Sequence, residues 1–359
     1  MTRSLSKFRI LGKLCTLALG LALAAGLAGD ALAQSNAGAK SLQIYPGSRA
    51  EGMGRIFSSV ADDAFGVWWN PAGLGFAKGP NVGLMHAQLV PGLASDVYYE
   101  YLSGGTYLKG WGGIAGTLTY LSYGTSQATN PDSPNPIGEF SSFEVAPSVA
   151  MGVTVIPTLA LGVNLKLVHV NLAPAEFAGP SGGGSGTTFA VDLGALYKYQ
   201  IENDNIMGLG AGRWDIGVGL NVVNLGPDLS MVEGRPTDPL PRNAKLSASV
   251  GMGVPKSLSF LGGFAVEKSL IFEDSQTTET LSFLQEHEIL LSGGGEIGFM
   301  DVAFARAGYV KDEPGTISGM TYGLGVRFLQ FGFDFASIPQ AEDLQRVSKF
   351  SLVYQASYN

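Results

Sequence analysis

The stretch SFEVAPSVAMGVTVIPTLALGVNLKLVHVN, Ser142 to Asn171, is built in steps of two. Phe143, Val145, Pro147, Val149, Met151, Val153 and Val155 share one face of an extended chain, and Glu144, Ala146, Ser148, Ala150, Gly152 and Thr154 share the other. Ile156-Pro157 interrupts the pattern for a tight turn. Leu159, Leu161, Val163, Leu165 and Leu167 then resume it against Gly162, Asn164 and Lys166. One face is wholly apolar and the other is small and polar. A soluble sandwich would bury the first face and clothe the second in Lys, Glu and Thr. An apolar face toward lipid and a small, polar face toward a lumen fit the wall of a transmembrane barrel.

The same alternation recurs along the chain. Phe189, Val191, Leu193, Ala195, Tyr197 and Tyr199 oppose Asp192, Gly194 and Lys198, and residues 244–254 repeat the scheme with Lys245, Ser247 and Ser249 on the polar side. Fourteen strands are expected, near 81–88, 95–103, 111–124, 142–155, 158–171, 187–200, 213–222, 243–254, 257–268, 286–297, 301–310, 319–328, 330–336 and 347–358. The thirteenth is short and is expected to extend past Ile338. Gaps at 125–141, 172–186, 223–242, 269–285 and 337–346 are long and rich in turn residues, whereas Ile156-Pro157, Pro255-Lys256, Gly298-Phe299-Met300 and Leu329 are short. Short and long connections in alternation mark periplasmic turns and extracellular loops. The break at 201–212 is longer than that rule predicts. An even strand count places both termini on the periplasmic side. By parity Arg306 falls with Val302 and Phe304 on the outward face, unless a bulge turns it inward.

Composition agrees. Only 14% of residues are charged, and 51 of 359 are glycine. Arg3, Lys7, Arg9 and Lys13 precede an apolar run from Leu14 to Ala28, and Ala31-Leu32-Ala33 is an A-x-A site, so residues 1–33 read as a cleaved secretory signal. Cys15, the sole cysteine, leaves with it, and disulfide or thiolate chemistry leaves too. Cleavage removes four bases and one acid, leaving 18 basic against 29 acidic residues, net −11. Nucleic acid is excluded as a partner. The mature chain divides into a non-β segment, 34–80, and a barrel, 81–359. Phe350, Leu352, Tyr354, Ala356 and Tyr358 form a terminal amphipathic strand of the kind read by the outer-membrane assembly machinery.

Chemistry is sparse. His86, His169 and His287 lack metal-ligand spacing. Ser292 and His287 lie an odd number of positions apart and face opposite ways on one strand. No catalytic group, metal or cofactor is expected.

The remaining signal is the segment RAEGMGRIFSSVADDAFGVWWNPAGLGF, Arg49 to Phe76. Met53, Ile56, Phe57, Val60 and Ala64 fall on one helical stripe, with Asp62 and Asp63 off it. Asn70-Pro71 ends the helix. Trp68 and Trp69 are large bodies that suit packing inside a barrel. The stretch Gly47 to Leu74 resembles the N-terminal signature of the PorV/PorQ family of outer-membrane proteins, relatives of the FadL-type transporters. The resemblance rests on Arg49-Ala50, Gly52-Met53-Gly54, Val60 to Ala64 and Trp69-Asn70-Pro71-Ala72-Gly73-Leu74. Further likeness lies in Arg306 to Tyr309, Gly323 to Val326, Phe333-Asp334-Phe335 and Phe350-Ser351-Leu352. Arg55-Ile56 departs from the family's small-then-apolar pair.

The resemblance implies an all-β, 14-stranded antiparallel transmembrane barrel with an N-terminal helical hatch in the lumen. Arg49, Glu51, Gly52, Met53, Gly54, Asp62, Asp63, Trp68, Trp69, Asn70 and Pro71 are the expected hatch and gate residues. Phe57 and Phe65 are expected beside an apolar ligand, and Lys166, Asp192, Lys198, Arg327 and Asp334 are expected as polar lumen anchors. Two activities follow: service in type IX protein secretion, with secretion components or cargo C-terminal domains as partners, or passage of hydrophobic solutes such as long-chain fatty acids. An open porin is a third reading, opposed by the small inward faces and the hatch. Outer-membrane lipid surrounds the barrel in each.

Overall fold

A computed structural model describes residues 38–130, 133–174, 176, 184–232, 237–270, 289–312, 317–341 and 344–356. The signal segment and its cleavage site at Ala33, together with His287 and Tyr358, lie outside the described residues. Fourteen strands follow the N-terminal segment: β1 (Asn81–Gln88), β2 (Val97–Leu108), β3 (Gly112–Asn130), β4 (Ser133–Ile156), β5 (Leu159–Ala173), β6 (Gly184–Asn203) and β7 (Gly212–Leu225), then β8 (Asn243–Gly253), β9 (Leu258–Ser269), β10 (Ile289–Phe299), β11 (Ala303–Asp312), β12 (Ile317–Phe328), β13 (Phe331–Ile338) and β14 (Val347–Gln355). Each pairs antiparallel with its sequence neighbours, and β1 also pairs with β14 from Asn81↔Gln355 to Ala87↔Lys349, closing the barrel.

Side chains alternate as the sequence requires. On β5, Leu161, Val163, Leu165 and Leu167 are exposed while Asn164, Lys166, Val168 and Val170 are buried. The polar residues are the buried ones because they face the filled interior of the barrel, where Asn164 and Lys166 bind Asp192. The apolar ones are left for lipid. On the outer face, the rings of His86, Tyr98, Tyr120, Phe143 and His169 form a row with centroids 5.8, 6.1, 6.1 and 6.1 Å apart. This aromatic girdle marks the membrane boundary at the long-loop end.

Four expectations change. First, 125–130 and 133–141 are not loop: β3 and β4 run on as a ribbon to Asn130 and Ser133. Above the girdle neither face needs to be apolar, so the alternation that identifies a strand disappears. Second, β13 ends at Ile338, where Pro339 removes the next backbone donor. Third, Arg306 points inward without a bulge, since β10–β11 pairing is continuous from Leu290↔Asp312 to Phe299↔Ala303. The parity was sound, but Phe304 shares that inward face, and Val302 lies in the turn before the strand. Fourth, no single helix covers 53–64. Gly54, Arg55 and Ala61 adopt φ of +66°, +63° and +36°, which break it into short turns.

The N-terminal segment holds a 3-10 turn at Lys40–Gln43, α1 (Ser48–Gly52), a 3-10 turn at Phe57–Ser59, α2 (Gly66–Trp69) and a 3-10 turn at Pro71–Phe76. Ala39 and Leu42 pack with Leu229 and Leu240 of the long β7–β8 connection, and Gly38 N–H donates to Pro239 O at 3.0 Å. Pro71–Phe76 packs instead near the short-turn end, against Gly113, Gly152 and Gly162. β1 starts and β14 finishes at that short-turn end, as an even strand count requires, while Gly38 lies at the long-loop end.

Candidate functional site

The candidate site is the contact between residues 38–76 and the inward face of the wall. Its lower part is a seat of glycines. Gly113 faces Gly152, Gly152 faces Gly162, and Gly162 faces Gly194, one on each of β3 to β6. A Cβ at Gly162 would overlap the Pro71 carbonyl and Ala72 N, one at Gly194 the Asn70 side chain, and one at Gly113 the Leu74 backbone. The Asn70-Pro71-Ala72-Gly73 turn lies flat on this row. Asn70 holds it there: Nδ2 donates to Ser58 O and to Ala195 O of β6, both at 3.0 Å, and Oδ1 accepts from Ala72 N at 3.1 Å. Gly52 approaches Gly323, and Gly54 approaches Gly293 and Gly308, in the same manner on the opposite wall.

Above the seat is an aromatic cluster. Trp68 and Trp69 meet edge to face at 5.1 Å, and Tyr45 stacks on Trp69 at 5.4 Å. Trp69 Nε1 donates to Pro46 O at 2.9 Å. The Lys245 ammonium lies 4.6 Å from both the Tyr45 and Trp69 ring centres and 2.6 Å from Glu267. The Arg55 guanidinium covers the other side of Tyr45 at 4.0 Å. Arg55, the family departure, is thus a packed cation and not a hole in the segment. A cavity of about 10 Å³ remains beside Trp68, lined also by Lys166, Asn221, Asn224, Asn243 and Lys245. It has room for about one water molecule.

Ion pairs tie the segment to the wall. Arg49 pairs with Asp62 at 2.6 Å and reaches Glu296 of β10 through Nε at 3.0 Å and Nη2 at 3.1 Å. Glu296 also accepts from Arg306 Nε at 2.6 Å. Arg306 Nη1 stands 2.8 Å from Asp334 Oδ1, close enough for an ion pair although not aligned as a hydrogen bond. Arg327 donates to both oxygens of Asp334 at 2.9 Å. Separately, Glu51 receives Lys349 of β14 at 2.7 Å and Arg55 at 3.1 Å. Burial alone would raise the Glu51 carboxyl, but these two cations hold it below its ordinary value. At the long-loop end, Glu144 accepts from Lys40 N at 3.0 Å and Ser41 N at 2.7 Å.

The sequence-derived residues fall as follows. Met53, Gly52 and Gly54 are buried against the wall, and Asp62 is half-exposed. Phe57 is fully buried between Arg49 and Trp69, and Phe65 lies in a cluster with Tyr99, Tyr101 and Met85, so both are core residues. Lys166 pairs with Asp192 at 2.8 Å, and Arg327 with Asp334, so these four bind one another within the wall. Lys198 faces the Phe76 ring at 5.4 Å. Besides Lys198, the cations and anions that grip the segment are Glu296, Lys349, Lys245, Glu267 and Glu144. Their signal was present in the sequence, since each is a charge among small residues on an inward face. His86 pairs with Glu100 on the outer surface, and Ser292 faces inward. No group of metal-ligating side chains occurs among the described residues.

Asp63 is more weakly paired. Its Oδ1 accepts from Phe65 N at 2.9 Å, but Oδ2 has no hydrogen-bond partner and stays 3.7 Å from Arg49. Burial pushes its carboxyl up to about 6; Asp62 and Asp334 act the same way, and Arg49 opposes them. An unfolded aspartate titrates near 3.9. The folded state therefore binds more protons between about pH 4 and pH 6, and stability falls as pH rises through that window. The loss reaches about 3 kcal/mol above it. Asp63→Asn is expected to raise the apparent unfolding temperature at about pH 7.5 and to shrink the difference from about pH 5. Thermal scans of both proteins at both pH values decide it; an undiminished difference in the variant refutes the assignment.

A family model described as "Type IX secretion system protein PorV" matches residues 34–259. None of the curated proteins matches. Among solved structures, the chain is similar to the "CymD monoaromatic hydrocarbon channel", with TM-score 0.50 and 15% identity over 87% of this chain and 98% of that one. It is also similar to the Ralstonia pickettii toluene transporter TbuX, with TM-score 0.49 and 13% identity over 88% and 98%. A Pseudomonas aeruginosa FadL homologue gives TM-score 0.43 and 13% identity over 86% and 98%. At this identity the CymD likeness concerns the fold alone, and it agrees with the closed barrel described above.

Proposed function

We propose, from the premise that this chain belongs to the PorV family of type IX secretion system proteins, that it is an outer-membrane barrel acting in protein secretion and surface attachment. In this reading residues 34–80 are a hatch that keeps the lumen shut, Asn70-Pro71 and the two tryptophans being its seat and body. The partners are secretion components and the C-terminal domains of exported proteins, met at the long-loop end. Strand β14, with Phe350, Leu352 and Tyr354 outward, is the element offered to the assembly machinery.

The observation that carries this reading is how tightly residues 38–76 fit the wall: charged side chains are buried in pairs, and the cavity beside Trp68 admits about one water. A conduit for long-chain hydrophobic solutes needs an apolar chamber beside the hatch. Phe57 and Phe65, the residues expected to line one, are instead buried in packed clusters. Handling cargo at the outer mouth requires no such chamber. Passage of hydrophobic compounds remains the competing reading, and a water-filled porin fits the packing least.

The test is purification from native membranes in a mild detergent, with bound lipids and proteins both identified. Stoichiometric secretion components or cargo domains are expected. Bound fatty acid with no protein partner would sink the secretion reading in favour of transport.

A further inference from the structure

The β3–β4 ribbon rises beyond the barrel. β2 stops pairing with β3 at Val97↔Tyr123, and β5 stops pairing with β4 at Phe143↔Asn171. Past these points the strand register runs through Thr125↔Ser141, Ser126↔Phe140, Gln127↔Glu139 and Ala128↔Gly138. The girdle through Tyr120 and Phe143 lies below them, so the ribbon stands roughly 20 Å into the aqueous phase. Among the described residues, neither edge has a neighbouring strand.

The two edges differ. The outer half of β4 includes Pro134 and Pro136, which supply no backbone donor and blunt that edge. The facing stretch of β3, Thr125 to Thr129, has no proline, and Thr125, Ser126, Gln127 and Thr129 are exposed. Direction is fixed at its base. Thr125 N–H donates to Asp96 Oδ2 at 2.9 Å, on the β2 side, so it points away from β4. By strand alternation the Gln127 N–H and carbonyl point the same way, into open water.

We propose that the Thr125–Thr129 edge of β3 is a docking site for an extended strand of an exported polypeptide, which adds to the ribbon by backbone pairing centred on Gln127. This rests on the secretion reading above. Main-chain hydrogen bonds supply the affinity in such strand addition. A second copy of this chain is a poor occupant. Two barrels in one membrane are related by an axis along the membrane normal, which sets their β3 edges parallel. A parallel ladder bonds residue i of one strand to i−1 and i+1 of the other, an arrangement a two-fold axis cannot make equal on both sides.

The probe is a purified C-terminal domain of a protein exported by the same cell, bound to the full-length barrel in detergent. Gln127→Pro removes the outward donor and spares the β3–β4 ladder. It is expected to weaken binding about tenfold, whereas Gln127→Ala, which keeps the donor, binds as wild type. Hydrogen exchange on the wild-type protein reads the site without substitution: the Gln127 amide should slow when the domain binds. Equal binding by Gln127→Pro together with unchanged exchange at Gln127 overturns the edge proposal and leaves the secretion reading standing. If the wild-type barrel does not bind the domain at all, the secretion reading fails and this inference with it. A dimer of the barrel alone that Gln127→Pro abolishes would overturn the choice of occupant.

Discussion

Glu296→Ala is expected to destabilise the protein by about 3–5 kcal/mol, the usual cost of removing one partner from a buried charge network. Glu296 is shared by Arg49 of the N-terminal segment and Arg306 of the wall. Without it Arg49 keeps Asp62, which is half-exposed, and the more distant Asp63, and Arg306 keeps the misaligned pair with Asp334. Two guanidinium groups, one fully buried and one mostly buried, then lose the carboxylate between them. The segment should loosen before the barrel does, because β10 keeps its full ladders to β9 and β11. The measurement is trypsin cleavage after Arg49 and Arg55, both shielded in the native packing, alongside the apparent unfolding temperature. Glu296→Gln, which retains shape and acceptor, should fall between wild type and alanine. An alanine variant that resists trypsin and unfolds at the wild-type temperature would remove Glu296 from the account.

Gly162→Leu is expected to unseat the Asn-Pro-Ala turn and to turn a closed barrel into an ion-conducting one. There is no side-chain rearrangement that relieves the overlap, since the atoms in the way are the Pro71 carbonyl and the Ala72 backbone. Overpacking of this sort costs about 1–3 kcal/mol when the surroundings can shift. Here the shift is the lifting of the turn, with loss of the Asn70 hydrogen bonds to Ser58 and Ala195. Gly116 is the control. It lies on the outer face of β3, where an added Cβ meets nothing nearer than Ser148 O at 3.8 Å, so Gly116→Leu should stay closed. Planar-bilayer conductance compares the two, with deletion of residues 40–76 as the open reference. A Gly162→Leu barrel as tight as wild type would mean that the turn does not hold the lumen shut.

Much of the wall was legible because a strand in a membrane obeys a strict rule. Its side chains alternate between two solvents, and Leu161 to Leu167 against Gly162, Asn164 and Lys166 display both. The rule fails where one solvent is missing. Residues 125–130 and 133–141 stand in water on both sides, so their strands carry no alternation and read as a loop. Arg306 was misplaced for a related reason. An aromatic such as Phe304 suits either face, and the turn before the strand moved Val302 out of the pattern. The N-terminal segment gave a helical stripe from Met53 to Ala64, but periodicity cannot register that Arg55 and Ala61 take left-handed backbone angles in a tightly packed space.

The candidate site divides in the same way. That Arg49, Glu51 and Asp63 would need charged partners was evident from their types, and the inward charges on the strands were visible one by one. Their pairing was not. Lys166 and Asp192, chosen as anchors, bind each other, while Glu296 and Lys349 reach the segment from strands near the far end of the chain. Sequence alone determined the two faces of most membrane-spanning strands, though not of β11, together with the strand number and the family signature, because these depend on local alternation and local residue type. Only the tertiary structure decided which charge meets which, how the Asn-Pro turn lies on its row of glycines, and where the ribbon edge is left open. Those depend on the register between strands and on the path of the segment across them, contacts that sum over the closed barrel and that no stretch of the chain specifies by itself.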